Sequence, residues 1–142
     1  DVKNNNQLIV MAGKMHAAGS NVECGPNIIS REIIKEFIDA GASVICVPAP
    51  GTVPGVTLDI VKKWIDYIHE CGALAMTAIG TSQEGSPRST IENIALMCKM
   101  AGADIHHLGD ASINMYENIY YYSLVVKGKR HTLRSMCKSP LR

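Results

Sequence analysis

The stretch GALAMTAIGTSQEGSPRST, Gly72 to Thr90, decides the fold. Its apolar run, Ala73 to Ile79, is too short to cross a membrane and suits a strand covered on both faces. Gly80-Thr81-Ser82-Gln83-Glu84 follows directly and reads as a small, polar loop. Helix-start chemistry comes next. Pro87 suits a first helical turn, and Ser89 with Glu92 fits a capping box. Strand, polar loop and capped helix in that order make a βα unit. In such units ligands gather at the carboxyl end of the strand, so this loop is the first place to look for function.

The unit recurs. Ala40-Gly41-Ala42, Cys71-Gly72-Ala73 and Ala101-Gly102-Ala103 each fall between a helix pattern and a strand pattern. They repeat at intervals of about 30 residues, which suits a strand plus a crossover helix. Leu8 to Met15 reads as the first strand, and Val10, Ala12, Lys14 and His16 share a face if alternation holds. Ser30 caps a helix over Arg31–Ala40 that Gly41 ends. Ser43–Val47 is the second strand, and Thr57 caps a helix over Leu58–Cys71. The third helix spans Thr90–Met100, and the fourth strand Asp104–Leu108. Asn114 with Glu117 caps a last helix through Val126 that Gly128 closes. The fold class is therefore α/β: four βα units with a parallel sheet, equivalent to half of a (β/α)8 barrel. Residues 1–142 form a single domain. Pattern alone does not separate barrel geometry from a doubly wound open sheet.

The bulk numbers bound the function. The chain has 142 residues, 46% hydrophobic and 19% charged, which is the composition of a folded domain. A net charge of +1 gives no broad electrostatic case for nucleic acid or for an anionic membrane. The segment Lys127-Gly128-Lys129-Arg130-His131 is locally basic and is expected to be a solvated terminal face. Cys24, Cys46, Cys71, Cys98 and Cys137 are odd in number and form no C-x-x-C pair. That usage predicts a reduced, cytoplasmic protein. The sequence carries no signal peptide pattern and no apolar segment of membrane length. Because it opens on Asp1, it is expected to be a processed product or a piece of something longer.

The candidate site residues all sit at strand ends. Lys14 and His16 lie two apart after the first strand, where a lysine can clamp an anion or act as a base. Gly80, Thr81 and Ser82, and again Gly109, Asp110 and Ala111, each follow a strand and precede a helix. Backbone N–H groups at such turns can meet an anion. Glu84 and Asp110 are the candidate acid–base pair. His106 and His107 are adjacent, so they face opposite ways in a strand and cannot share a metal. His107 joins the anion-binding set, with no preference between the two settled by pattern. No metal motif and no cofactor motif occurs, nor any nucleophile elbow, Walker loop or dinucleotide fingerprint. Tyr116, Tyr120, Tyr121 and Tyr122 cluster in one helix and are expected to form an interface with another chain or to pack on the sheet.

MAGKMHAAG (Met11–Gly19), VPAPGTVPG (Val47–Gly55), AIGTSQEGS (Ala78–Ser86), KMAGADIHHLGDA (Lys99–Ala111) and GKRHT (Gly128–Thr132) occur in that order. Together they resemble the C-terminal half of an uncharacterised bacterial family of TIM-barrel proteins. That family is loosely labelled haloacid dehalogenase-like hydrolase or grouped with phosphoenolpyruvate-type barrels. The D-x-D-x-T motif of true haloacid dehalogenases is absent, and the segment after Asp110 is shorter than the glycine-rich loop the resemblance implies. The expectation is a protein that binds a small phosphorylated or carboxylated metabolite at its strand ends, as a lyase or isomerase. Lys14, Glu84 and Asp110 would be catalytic, and His16, Gly80–Ser82, His107, Gly109 and Ala111 would bind the ligand. A homodimer would complete the barrel. The alternative is a non-catalytic half barrel acting in assembly or ligand sensing.

Overall fold

Four short strands run parallel: β1 (Met11–Gly13), β2 (Val44–Pro48), β3 (Leu74–Ala78) and β4 (Ile105–His107). They are seen in a computed structural model that describes residues 8–14, 25–109 and 115–138. Their order in the sheet is their order in the chain, β1-β2-β3-β4. A doubly wound sheet must reverse that order at a switch point, and this one does not. Crossovers between parallel strands are right-handed, so repeating them without reversal sends every helix to one face of the sheet.

The connecting helices are α1 (Arg31–Asp39), α2 (Leu58–Glu70), the single turn α3 (Thr81–Glu84) and α4 (Arg88–Ala101), with α5 (Met115–Val126) and α6 (Lys129–Cys137) after β4. Helix α1 starts where expected, because the Ser30 side chain accepts the Ile33 N–H at 3.3 Å. Thr57 stands at the N-cap of α2 but makes no side-chain cap bond. The capping box expected at Ser89 does not form. Pro87 is the N-cap of α4, and Glu92 instead pairs with Arg88 at 2.8 Å. The polar run after β3 is not all loop, since Thr81–Glu84 coils into α3. The basic terminal segment is also helical, as α6. Gly102 closes α4 in the left-handed conformation at φ 90°, where a side chain would be strained.

Register assigns side chains to faces. Ala12, Ile45 and Ala75 lie across one row, and Val47, Thr77 and His106 across another. These rows point to the helices. Ile45, Val47 and Ala75 join Ile34, Val61, Trp64, Ile65 and Ile68 of α1 and α2 in the main core. A second cluster joins Ala49 and Ile79 to Ile91, Ile94, Ala95 and Cys98 of α4 and to Tyr122 of α5. The alternate rows carry Met11, Val44 and Leu74, then Gly13, Cys46, Met76 and Ile105, then Pro48, Ala78 and His107. On that face Met11 is 57% and Leu74 49% exposed. Among the described residues no helix is long and apolar enough to cross a membrane.

At the amino end of the sheet, Asp104 pins β4 to its neighbours. Its Oδ2 accepts the Ala75 N–H at 2.8 Å and lies 2.8 Å from His69 Nε2 at the end of α2. Partial burial works to raise the Asp104 pKa. The bonds from Ala75 and His69 outweigh it and hold the carboxyl below its ordinary value. A lowered folded pKa contributes stability above the unfolded value and loses it as pH falls. The stability gap between the wild type and Asp104→Asn should therefore shrink as pH drops below about 4. Urea unfolding from pH 3 to 7 would measure it, and a gap independent of pH would show that the carboxylate charge does not matter.

Candidate functional site

The carboxyl ends of β3 and β4 meet through one carboxyl group. Glu84, the last residue of α3, is 3% exposed. It lies so close to Gly109 that a Cβ built there would fall on the carboxylate. Gly109 is required twice over: there is no room for a side chain, and its φ is 97°. Asn118 of α5 donates its Nδ2 to the Glu84 backbone carbonyl at 2.5 Å, which fixes the turn from a third element. The sequence reading selected Glu84 and Gly109 separately, and here they are in contact. Asn118 was missed, because nothing in a helical asparagine announces a partner 34 residues away.

His107 stands at the same end of the sheet. It is exposed and shares a row with Pro48 and Ala78, on the face away from the helices. The Gly109 N–H donates to its Nδ1 at 3.2 Å. An accepting Nδ1 leaves the proton of the neutral ring on Nε2, so His107 presents an N–H donor. Gly80 is the N-cap of α3, in extended backbone at φ −78° and ψ 166°, with Thr81 and Ser82 in the single turn that follows. Lys14 is half-buried one residue past β1. Alternation with Val10 and Ala12, which pack on the main core, assigns it to the opposite side of the sheet from His107. His16, Asp110 and Ala111 lie outside the described residues.

His106 has the opposite fate. Its row faces the helices, where its Nδ1 is 2.9 Å from Tyr122 Oη and 3.4 Å from Thr77 Oγ1. The two rings sit 5.2 Å apart at 58°. Thr77 is 1% and Tyr122 4% exposed, and the Cys98 thiol bonds with both hydroxyls. Burial lowers the His106 pKa, with the Asp104 charge opposing and Lys127 adding to the shift. Burial also raises the Tyr122 hydroxyl far above its ordinary value, so the phenol stays protonated. The tyrosines thus divide. Tyr122 packs beneath the sheet, Tyr116 is 91% exposed, and Tyr121 lies under the Arg88 guanidinium at 4.2 Å.

Two hollows flank these ends. A cleft of about 510 Å³ runs along β4 from Asp104 to Gly109, under Ile119, Tyr122 and Val126 of α5. Another, of about 670 Å³, lies between the exit loop of β2 (residues 51–58), Gln83 and Met97. Both volumes fall in the range of small-molecule sites. The first includes His107 and Gly109, and neither is lined by Lys14 or Glu84. Among the described residues no three His, Cys, Asp or Glu side chains gather as a metal site.

The whole chain, residues 1–142, matches the model of a domain of unknown function, DUF7916, and belongs to that family. No curated protein matches it.

Three outcomes follow from this geometry. Gly109→Ala should lower stability by more than about 1 kcal/mol, because it combines a disfavoured φ with a clash on Glu84. Thermal melts would read this, and an unchanged midpoint would mean that the two loops do not meet. The unfolded chain should also protonate at His106 where the folded chain does not, so stability should fall as pH drops below about 6.5. Tyr122→Phe should cost about 1–3 kcal/mol at neutral pH by leaving a buried ring nitrogen without its hydroxyl. Urea melts at pH 5 and 7.5, with an NMR titration of the ring, would check both statements.

Proposed function

We propose that this member of the DUF7916 family binds a small phosphorylated or carboxylated metabolite at the carboxyl ends of its strands. The observation that carries the reading is the meeting of Glu84 with Gly109, beside a His107 ring that turns an Nε2–H outward. Two consecutive strand-end loops are thereby locked together, and a buried carboxyl group and a hydrogen-bond donor are held near each other. Bonds to charged oxygens are about twice as strong as neutral ones, so one well-placed imidazole and one lysine suffice to orient a small anion.

In this reading His107 binds an anionic oxygen, and Lys14 supplies charge from the β1 end. Glu84 is the acid–base group of a lyase or isomerase reaction, with Asp110 as its partner. A buried carboxyl group suits proton transfer because its environment is fixed and partly dry. The second reading is a half barrel without chemistry, and the apolar, half-exposed face of the sheet favours it.

The test is binding, measured by calorimetry with inorganic phosphate, a triose phosphate and a set of small carboxylates. At least one should bind, and His107→Ala should weaken it by about 10-fold or more, the loss expected for one charge-assisted bond. Glu84→Gln should leave that binding within a few-fold while abolishing any turnover found. Absence of binding across the set, or equal binding by His107→Ala, would remove the reading and leave the assembly role.

A further inference from the structure

We propose that the surface between α5 and α6 is a docking site for an acidic amphipathic helix of another protein, which seats apolar side chains in the groove and sets carboxylates over the turn at residues 127–130. This goes beyond the ligand reading and does not depend on it.

The first argument is charge. Residues 127–142 hold six of the chain's 14 Lys and Arg and none of its 13 Asp and Glu. The segment faces solvent, as a charge run does, but its charges sit where a helix least tolerates them. Lys129 and Arg130 open α6, and no acidic residue stands in that first turn. Cations there oppose the helix dipole. Arg130, Arg134 and Lys138 recur every four residues, so like charges stack along one side. Lys127, Lys129, Arg130, Arg134 and Lys138 are all exposed, and none of them forms an ion pair among the described residues. This arrangement does not stabilise the helix from within, and an anionic partner relieves it.

The second argument is the apolar surface beside those charges. Helices α5 and α6 are joined by Lys127 and Gly128 and fold against each other, yet Thr132 is the one α6 residue that is buried. Tyr116, Ile119 and Tyr120 of α5 and Met136 of α6 line a groove of about 370 Å³ between the two helices, with Lys127 at the turn. The α5 residues recur at i, i+3 and i+4, the spacing of one helix face. Leu133 stands three residues before Met136, on the same side of α6. Tyr116, Ile119, Leu133 and Met136 are all exposed. Tyrosine, methionine and aliphatic side chains rimmed by cations have the composition of a protein–protein interface.

The third argument selects the partner. A phosphate backbone needs cations alone, and a lipid surface needs a broad apolar stripe on the helix that enters it. Here the apolar part is a groove between two helices, with cations gathered at its turn end. Such a groove takes an amphipathic helix by anchors at i, i+3 or i+4, and i+7. Helix α6 has 9 residues. That length is about 14 Å, room for two turns of a partner helix. Carboxylates on the same partner then meet Lys127, Lys129 and Arg130, and the opposite charges steer its approach.

Fluorescence anisotropy of the 142-residue chain with a labelled synthetic helix of leucine and glutamate, its leucines on one face, tests this. The expected result is saturable binding that weakens by about 10-fold or more when serine replaces the leucines. Lys129→Glu with Arg130→Glu should cost a similar factor. Acidic residues in a first turn favour the helix, so that loss is not a loss of folding. Tyr116→Ala, at a fully solvent-facing position, should also weaken binding by about 10-fold. Lys63→Glu, exposed on α2, should bind as the wild type does. No binding of the leucine peptide, or equal binding by the serine peptide or by the α5 and α6 variants, would overturn the proposal. Tighter binding of a labelled thymidine oligonucleotide or of phosphatidylglycerol vesicles would assign the surface to nucleic acid or membrane and also overturn it.

Discussion

A parallel strand cannot follow its neighbour by a tight turn, and the crossover it needs has one hand. Everything else in this molecule follows from applying that constraint three times without reversal. Three right-handed crossovers in one direction put the helices on one side of the sheet and every strand-end loop on one edge. The helix-facing rows then carry the core, from Ile45 and Val47 to Ala75. The other rows carry Met11, Leu74, Met76 and Ile105, apolar side chains that helices on the far face do not cover. A doubly wound sheet escapes this imbalance by reversing direction once. This sheet has no reversal, so its two faces have unequal chemistry.

That inequality decides what the two adjacent histidines do. They come from one short strand and differ by a single residue, so they point to opposite faces. His106 enters the helix side and is absorbed by Thr77, Cys98 and Tyr122 into a buried polar cluster. Its ring is held neutral by burial, and its role is to satisfy hydroxyl groups that the core would otherwise leave stranded. His107 stays exposed and takes its orientation from the Gly109 amide. A buried, satisfied histidine and an exposed, oriented one are different objects, even though the sequence writes them as a pair.

The sequence made the order of elements legible because its punctuation is physical. Gly41, Gly72 and Gly102 all carry positive φ, which is why glycine recurs where each helix gives way to a strand. Ile34, Val61 and Ile65, apolar residues on the inner faces of α1 and α2, are fully buried, as the helices expected over Arg31–Ala40 and Leu58–Cys71 require. Less was legible where two local signals compete. Ser89 and Glu92 have the spacing of a capping box, but Pro87 already sets the first turn and Arg88 takes the Glu92 carboxylate. The partners of Thr77 were invisible because they lie on two later elements, and nothing in an apolar run marks one threonine as a hub. The tyrosines looked alike as a cluster, but helical geometry sends Tyr122 to the core and Tyr116 to solvent.

The strand-end loops show why position alone could nominate a site and not assemble it. Position put Glu84 and Gly109 at the ends of adjacent strands. Their contact depends on three further facts: α3 is a single turn, Gly109 has no side chain, and Asn118 reaches back from α5 to the Glu84 carbonyl. Each is a small steric or hydrogen-bonding condition that a residue pattern does not encode. Lys14 illustrates the converse. It ends a strand as the others do, yet alternation with Val10 and Ala12 turns it to the other side from His107. For both to reach one ligand, the ligand must sit above the ends of the strands, where the loops and not the sheet faces define the walls. On the proposed ligand reading, such a site is formed at that rim, by the few residues between the end of each strand and the start of the next helix.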